Sequence, residues 1–151
     1  MLQTRIQAKP LSFTYSTDVV KIGRRAGILS SDGKEEFRVA SPPEFKGEAG
    51  VWTPEDLFVA AVDSCTMMTF LALAGRNSLS VLDYSSQATG VLESVEGVYR
   101  FSKVTLKPRI AVESIYEIEK ARELLNEAHK SCFIANSIVS EVIIEPRIEA
   151  L

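Results

Sequence analysis

TPEDLFVAAVDSCTMMTFLALAG, Thr53 to Gly75, is the stretch whose reading decides the fold. Thr53 suits a helix N-cap and Pro54 the first helical position. Asp56 completes a capping-box spacing with Thr53, and Glu55 adds negative charge at the positive end of the helix dipole. Between Asp56 and Arg76 the only charged residue is Asp63, so the helix is apolar nearly all round and is expected to be buried nearly all round. At roughly 22 residues and ~33 Å it is long for one small domain to cover, which makes a subunit interface the natural cover. One cysteine, Cys65, stands near its middle, in line with Phe58, Ala61, Val62 and Met68. By residue type it is a small hydrophobe, since free cysteines are among the most buried side chains. To act as a nucleophile it needs a cation close enough to hold the thiolate.

Toward the amino terminus, LSFTYSTDVVKIG (11–23) mixes β-branched and aromatic residues with polar ones and reads as a strand. RRAG (24–27) follows as a basic turn, SSDGK (30–34) as another turn, EEFRVA (35–40) as a short strand, and SPPEFKGEAG (41–50) as a loop. Toward the carboxyl terminus, two long strands, Val81–Glu93 and Val98–Val112, form a hairpin about the turn VEG. SIYEIEKARELLNEAHK (114–130) is an amphipathic helix. Ser114 and Glu117 have capping-box spacing, and Ile115, Ile118, Ala121, Leu125 and Ala128 recur at helical intervals. SIVSEVIIEPRIEA (137–150) reads as one last strand. This order of elements predicts a single α+β domain over residues 1–151.

The composition, 46% hydrophobic and 25% charged over 151 residues, is that of an ordinary globular chain. With 17 Lys and Arg against 20 Asp and Glu, and a net charge of −3, it offers no broad positive field for nucleic acid. No apolar run is read as approaching the ~20 residues that span a bilayer, and MLQTRIQAKP lacks the apolar centre of a secretory signal. The expectation is a cytoplasmic protein with no membrane partner, whose two cysteines are reduced thiols or a redox pair.

The second cysteine, Cys132, falls just beyond the second helix in HKSCFIANS. There it is either a plug between helix and final strand or a thiol able to approach another. Two distant cysteines and one histidine, His129, do not make a clustered zinc site, and His129 reads as a helix-surface residue. There is no Gly-rich phosphate loop after a strand and no GxSxG elbow. The local cations for a thiolate are Arg24 and Arg25, with Arg38 less convenient within its strand. Glu55 can orient an arginine through a bidentate pair or simply serve the helix dipole.

TPEDLFVAAVDSC followed some 65 positions later by AHKSCFIANS resembles the OsmC/Ohr family of thiol-dependent peroxidases. The resemblance covers most of the chain, from KIGRRAG to the last strand. It implies an OsmC-like fold of antiparallel sheets about long central helices in an intertwined homodimer. Carried over by motif, Cys65 is the peroxidatic and Cys132 the resolving cysteine, the two forming a disulfide, and Glu55 matches the family glutamate. Arg24 in IGRRAGILSSDG stands where the Ohr branch places its arginine. The implied activity is reduction of alkyl or fatty-acid hydroperoxides without a bound cofactor, with an external dithiol, a dihydrolipoyl group, as reductant. Phe133 departs from the proline common after the resolving cysteine, and Asp63 from the small or neutral residue usual before the peroxidatic one. Asp63 lies about 200° round the helix from Cys65, so it is not expected to face the thiol. Glu55 and Cys65 are ten positions apart, or ~15 Å along the axis, which suggests that the Arg24–Glu55 pair serving one Cys65 comes from the other subunit. The competing readings are a non-enzymatic dimer that holds a small apolar ligand and a thiol redox sensor.

Overall fold

The computed structural model describes residues 11–151; the terminal segment MLQTRIQAKP lies outside them. The chain divides into two compact units, one ending at Pro54 and the other spanning Glu55–Leu151.

The first unit is an antiparallel meander of β1 (Asp18–Lys21), β2 (Ala26–Ser30) and β3 (Phe37–Ala40), with β2 in the centre. The sequence reading is corrected at two places. Of the strand expected over 11–23 only Asp18–Lys21 pairs, and Ala26 and Gly27, expected in a turn, begin β2. AGILS is five residues between turn signals, too short for alternation to stand out, and pairing on both sides makes it a strand. Gly27 is required there, because a Cβ would sit 2.9 Å from the Val20 carbonyl oxygen. The 41–50 loop contains a 3-10 turn at Pro43–Phe45 and closes tightly. A Cβ on Gly47 would fall 1.6 Å from the Ser41 carbonyl oxygen.

The second unit is built on α1 (Pro54–Arg76), which begins at the proline that its capping sequence predicts. β4 (Val81–Val95) and β5 (Val98–Val112) form the expected hairpin, and Glu96 and Gly97 both take positive φ, 52° and 81°, as a two-residue type I′ turn demands. Ser114 then makes its capping box. The Tyr116 N–H donates to Ser114 Oγ at 3.2 Å and the Ser114 N–H to Glu117 Oε2 at 3.2 Å. The first turn is 3-10, Ile115–Glu117, and leads into α2 (Ile118–Ser131). The last strand is in fact two, β6 (Glu141–Ile144) and β7 (Arg147–Ala150), because Pro146 has no N–H and interrupts the ladder. Both pair with β5 in parallel, Val104 opposite Val142 and Ile110 opposite Ile148, so this sheet is mixed rather than purely antiparallel.

Both helices lie on one face of that sheet. Phe70, Ala74 and Leu79 pack with Ile110 and Val112 of β5 and with Ala121, Leu124, Leu125 and Ala128 of α2. A second cluster joins Val62 to Val104 and Leu106. Burial of α1 is where the structure departs most from expectation. Val62, Thr66, Phe70 and Ala74, each four residues apart, form one buried stripe, whereas Met68 is 60% exposed and Leu71 37%. A sheet and one further helix touch a single side of α1 and leave the rest of its apolar surface open. By length and composition α1 is also apolar enough to cross a membrane, contrary to the sequence expectation, although a core helix meets the same criterion.

Candidate active site

Cys65 sits on α1 immediately before Thr66 of the buried stripe. Cys132 ends α2, where the backbone leaves helical geometry at φ −65°, ψ 116°. The segment after it is tied down at every step. The Asn136 N–H donates to the Cys132 carbonyl at 3.0 Å and the Ser137 N–H to that of Ile134 at 2.9 Å. The Asn136 side chain reaches the Lys130 carbonyl at 3.0 Å, and Ser137 Oγ that of Phe133 at 2.6 Å. This tight loop turns successive main-chain amides toward sulfur. The Ala135 N–H lies 3.5 Å from Cys132 Sγ, and those of Phe133 and Ile134 bond Cys65. From the other side, the Thr66 hydroxyl donates to the Val62 carbonyl at 2.9 Å and lies 3.8 Å from Cys132 Sγ. The Thr69 hydroxyl, 2.8 Å from the Cys65 carbonyl, also lies against the Cys65 sulfur.

The two cysteines, 67 positions apart in sequence, are thereby brought into direct hydrogen-bond contact as free thiols. Their environments differ. Cys132 is wholly buried and Cys65 partly open. Burial alone would raise the Cys65 thiol, but the Ile134 amide, the Cys132 thiol, the Thr69 hydroxyl and the Phe133 amide together outweigh it and hold the group below its ordinary value. Cys132 is pushed up by burial, partly relieved by the Ala135 amide and reinforced by the developing charge on Cys65. The accessible sulfur is therefore the one that ionises first, and the buried one stays protonated and donates to it.

The cations expected for this chemistry all belong to the first unit. Arg25 Nη1 donates to the Phe45 carbonyl at 2.6 Å. Arg38 makes a bidentate pair with Glu48, Nε to Oε2 at 3.0 Å, and the hydrogen bond from Arg38 holds the Glu48 carboxyl below its usual range. Arg24 is exposed and makes no ion pair or side-chain hydrogen bond with another residue of its unit among those described. Glu55 opens the second unit with one carboxylate oxygen, Oε2, buried and without a hydrogen-bond partner. His129, expected on a helix surface, is half-buried with Nδ1 shielded and unpartnered. Asp63 looks away from the thiols, into a cavity shared with Tyr84 and Ser86. Among the described residues no group of three His, Cys, Asp or Glu could hold a metal ion.

Sequence reasoning missed Thr66, Thr69 and the amides of 133–135. The two threonines, one and four positions after a cysteine in an otherwise apolar helix, were the available signal. The amides carry no signal in side-chain identity at all.

Residues 47–147 match the family described as OsmC-like protein. An uncharacterized protein of Bacillus subtilis, YmaD, is 23% identical over 107 residues, 69% of this chain and 71% of that one. Among solved structures, an OsmC-like protein of unknown function from Vibrio cholerae superposes with a TM-score of 0.82 at 26% identity, covering 89% of this chain and 99% of its own. An organic hydroperoxide resistance protein from Elizabethkingia anophelis gives 0.74 at 22% identity, covering 95% and 100%.

Proposed function

This chain belongs to the OsmC-like family, and on that premise we propose that it is a thiol peroxidase that reduces organic hydroperoxides to alcohols. The observation that carries the reading is the asymmetric thiol pair: an accessible sulfur whose pKa is lowered, in hydrogen-bond contact with a buried sulfur whose pKa is raised. The name borne by the Elizabethkingia protein of like fold agrees with it.

In the proposed cycle the Cys65 thiolate attacks the terminal oxygen of the hydroperoxide. A sulfur–oxygen bond forms, the O–O bond breaks, and the departing alkoxide takes up a proton to become the alcohol. Sulfur is oxidised to sulfenic acid and the peroxide is reduced. The Cys132 sulfur then attacks Cys65, forming the disulfide and releasing the hydroxyl with the Cys132 proton as water. An external dithiol, of the dihydrolipoyl class, returns both thiols and is itself oxidised to a disulfide. The apolar residues in line with Cys65 along α1, Phe58, Ala61, Val62 and Met68, suit an alkyl or fatty-acid hydroperoxide rather than a small polar one. Arg24 is the cation we assign to the thiolate and the leaving alkoxide, oriented by Glu55, whose unpartnered Oε2 is suited to accept a guanidinium.

The protein acts, in this reading, as a cytoplasmic homodimer whose second copy covers the open side of α1 and supplies the Arg24–Glu55 pair. The reducing cytosol keeps the resting thiols free. Steady-state consumption of cumene hydroperoxide with dihydrolipoamide tests the activity. We expect turnover that Cys65→Ser abolishes and that hydrogen peroxide supports poorly. Absence of turnover with every dithiol and hydroperoxide tried would overturn the assignment.

A further inference from the structure

β5 alternates strictly where it crosses the middle of its sheet. Leu106, Pro108 and Ile110 are buried on the helix side, and Lys107 and Arg109 stand exposed on the opposite face. Register carries this exposed row into both neighbouring strands. Ser85 of β4 and Arg147 of β7 lie opposite Arg109, and Gln87 of β4 lies opposite Lys107. Pro146 has no N–H and breaks the ladder between Ile144 and Arg147. Beside the break is a cavity of about 410 Å³, lined chiefly by Ser85, Gln87, Lys107, Arg109, Glu145 and Arg147. It lies on the side of the sheet away from both helices, and so apart from the open side of α1 assigned to a second copy.

Three cations share this lining with one carboxylate. Arg109 and Arg147 occupy directly opposed positions on neighbouring strands, about 5 Å apart at the backbone, where like charges repel. Their neutralisation within the chain is incomplete. Arg147 Nη2 reaches Glu149 at 3.5 Å and Lys107 Nζ reaches Glu145 at 3.8 Å, both long contacts between exposed groups. Arg109 has no ion pair or side-chain hydrogen bond among the described residues. Two adjacent guanidiniums, one of them wholly unanswered, are stabilised by an anion placed between them.

We propose that this cavity binds the phosphoryl group of a small phosphate monoester. A phosphoryl dianion presents three oxygens and close to two charges, enough to take the Arg109 and Arg147 forks together, with the Ser85 hydroxyl and the Gln87 amide as further donors. A carboxylate has one charge and two oxygens, which a single fork satisfies. Glu145, the one carboxylate of the lining, pairs with Lys107 and leaves the arginine row to the ligand. The volume falls within the roughly 300–1,000 Å³ of small-molecule sites, so the organic part of the ester has room beside the phosphoryl group. The site does not depend on the peroxidase reading, because no residue of it belongs to the thiol pair.

The test is a titration of the reduced, full-length ¹⁵N-labelled protein with glycerol 3-phosphate, inorganic phosphate and acetate at constant ionic strength. Saturable amide shifts centred on residues 85–87, 107, 109, 145 and 147 are expected for glycerol 3-phosphate, weaker ones for inorganic phosphate and none for acetate. Binding should weaken as pH falls from about 7.5 to about 5.5, because the phosphoryl group takes up its second proton near pH 6 while the arginines stay charged. Arg109→Gln and Arg147→Gln should each weaken binding by roughly tenfold or more, the scale of a lost charge-assisted pair. Both arginines are exposed, and either variant keeps the test decisive if the other fails to fold. Lys103→Gln removes a charge from the same face outside the cavity and should leave the affinity unchanged. Inorganic phosphate binding as tightly as the ester would overturn the assignment to an ester. Equal response to acetate, an equal loss in Lys103→Gln, unchanged binding in both arginine variants, or no saturable shift would overturn the site itself, leaving these cations a solvated face.

Discussion

Cys65 and Cys132 carry the same side chain and opposite shifts in acidity, and the difference comes from what surrounds each sulfur. Four donors converge on Cys65, two of them main-chain amides of the 133–134 segment, while Cys132 is enclosed without access to solvent. The rate of alkylation by iodoacetamide against pH should therefore rise with a midpoint below that of a free cysteine, and peptide mapping should place the label on Cys65. Phe133→Pro deletes one N–H donor and should move that midpoint upward, whereas Phe133→Ala keeps the amide and should leave it in place. Tyr84 gives a second titration. Its folded-state value is raised, so the stability it contributes is complete below the unfolded value of about 10 and is lost as pH climbs through about 12. Ultraviolet absorbance should follow this ionisation. In Asp63→Asn the midpoint should fall but remain above that of free tyrosine, because burial, the larger cause, persists. At this scale the sequence was half legible. The two cysteines, which the structure brings into contact, stand out by residue type and motif spacing, whereas Glu55 and Arg24 are named by motif alone. The amides are not legible, because a donor that every residue possesses is selected only by the path of the backbone.

The elements were read best where local chemistry acts alone and worst where pairing decides. The start of α1 follows from Thr53–Pro54 and the entry to α2 from Ser114–Glu117, since caps are settled within one turn of helix. β2 is not legible because five residues acquire strand geometry only from neighbours on both sides, and the last strand splits into β6 and β7 at Pro146, which has no N–H for the ladder. Gly90 shows how tightly the hairpin meets α1. A Cβ there would lie 2.6 Å from Val59 Cγ2 and 2.9 Å from Phe101 Cε1, and the Phe101 ring stacks on Phe58 at 4.6 Å. Gly90→Ala should cost about 1–3 kcal/mol in chemical denaturation, as overpacking does. Gly97→Ala should cost about 1–2 kcal/mol by a different route, since nothing crowds the position and only its φ of 81° resists a side chain.

For the whole molecule, the apolarity of α1 was plain in the sequence, but what covers it was not, because one chain buries only the Val62–Ala74 stripe. Exposed Met68 and Leu71 leave methylene groups in water at about 0.8 kcal/mol each, so sedimentation should find a dimer at micromolar concentration and little folded monomer. If the second copy completes the site, refolding Cys65→Ser with Arg24→Ala subunits should restore partial activity in the mixed dimer, and mixed dimers no more active than either parent would place each site within one chain. The proposed two-cysteine cycle hangs on the two thiols acting as a pair. The direct measurement is mass spectrometry of the protein after one equivalent of cumene hydroperoxide, alkylated without reduction and digested. The account predicts a Cys65–Cys132 cross-linked peptide from a single chain, the loss of two hydrogens and no alkylated cysteine. Cys65 carried on to sulfinic acid with Cys132 still a free, alkylated thiol would contradict it.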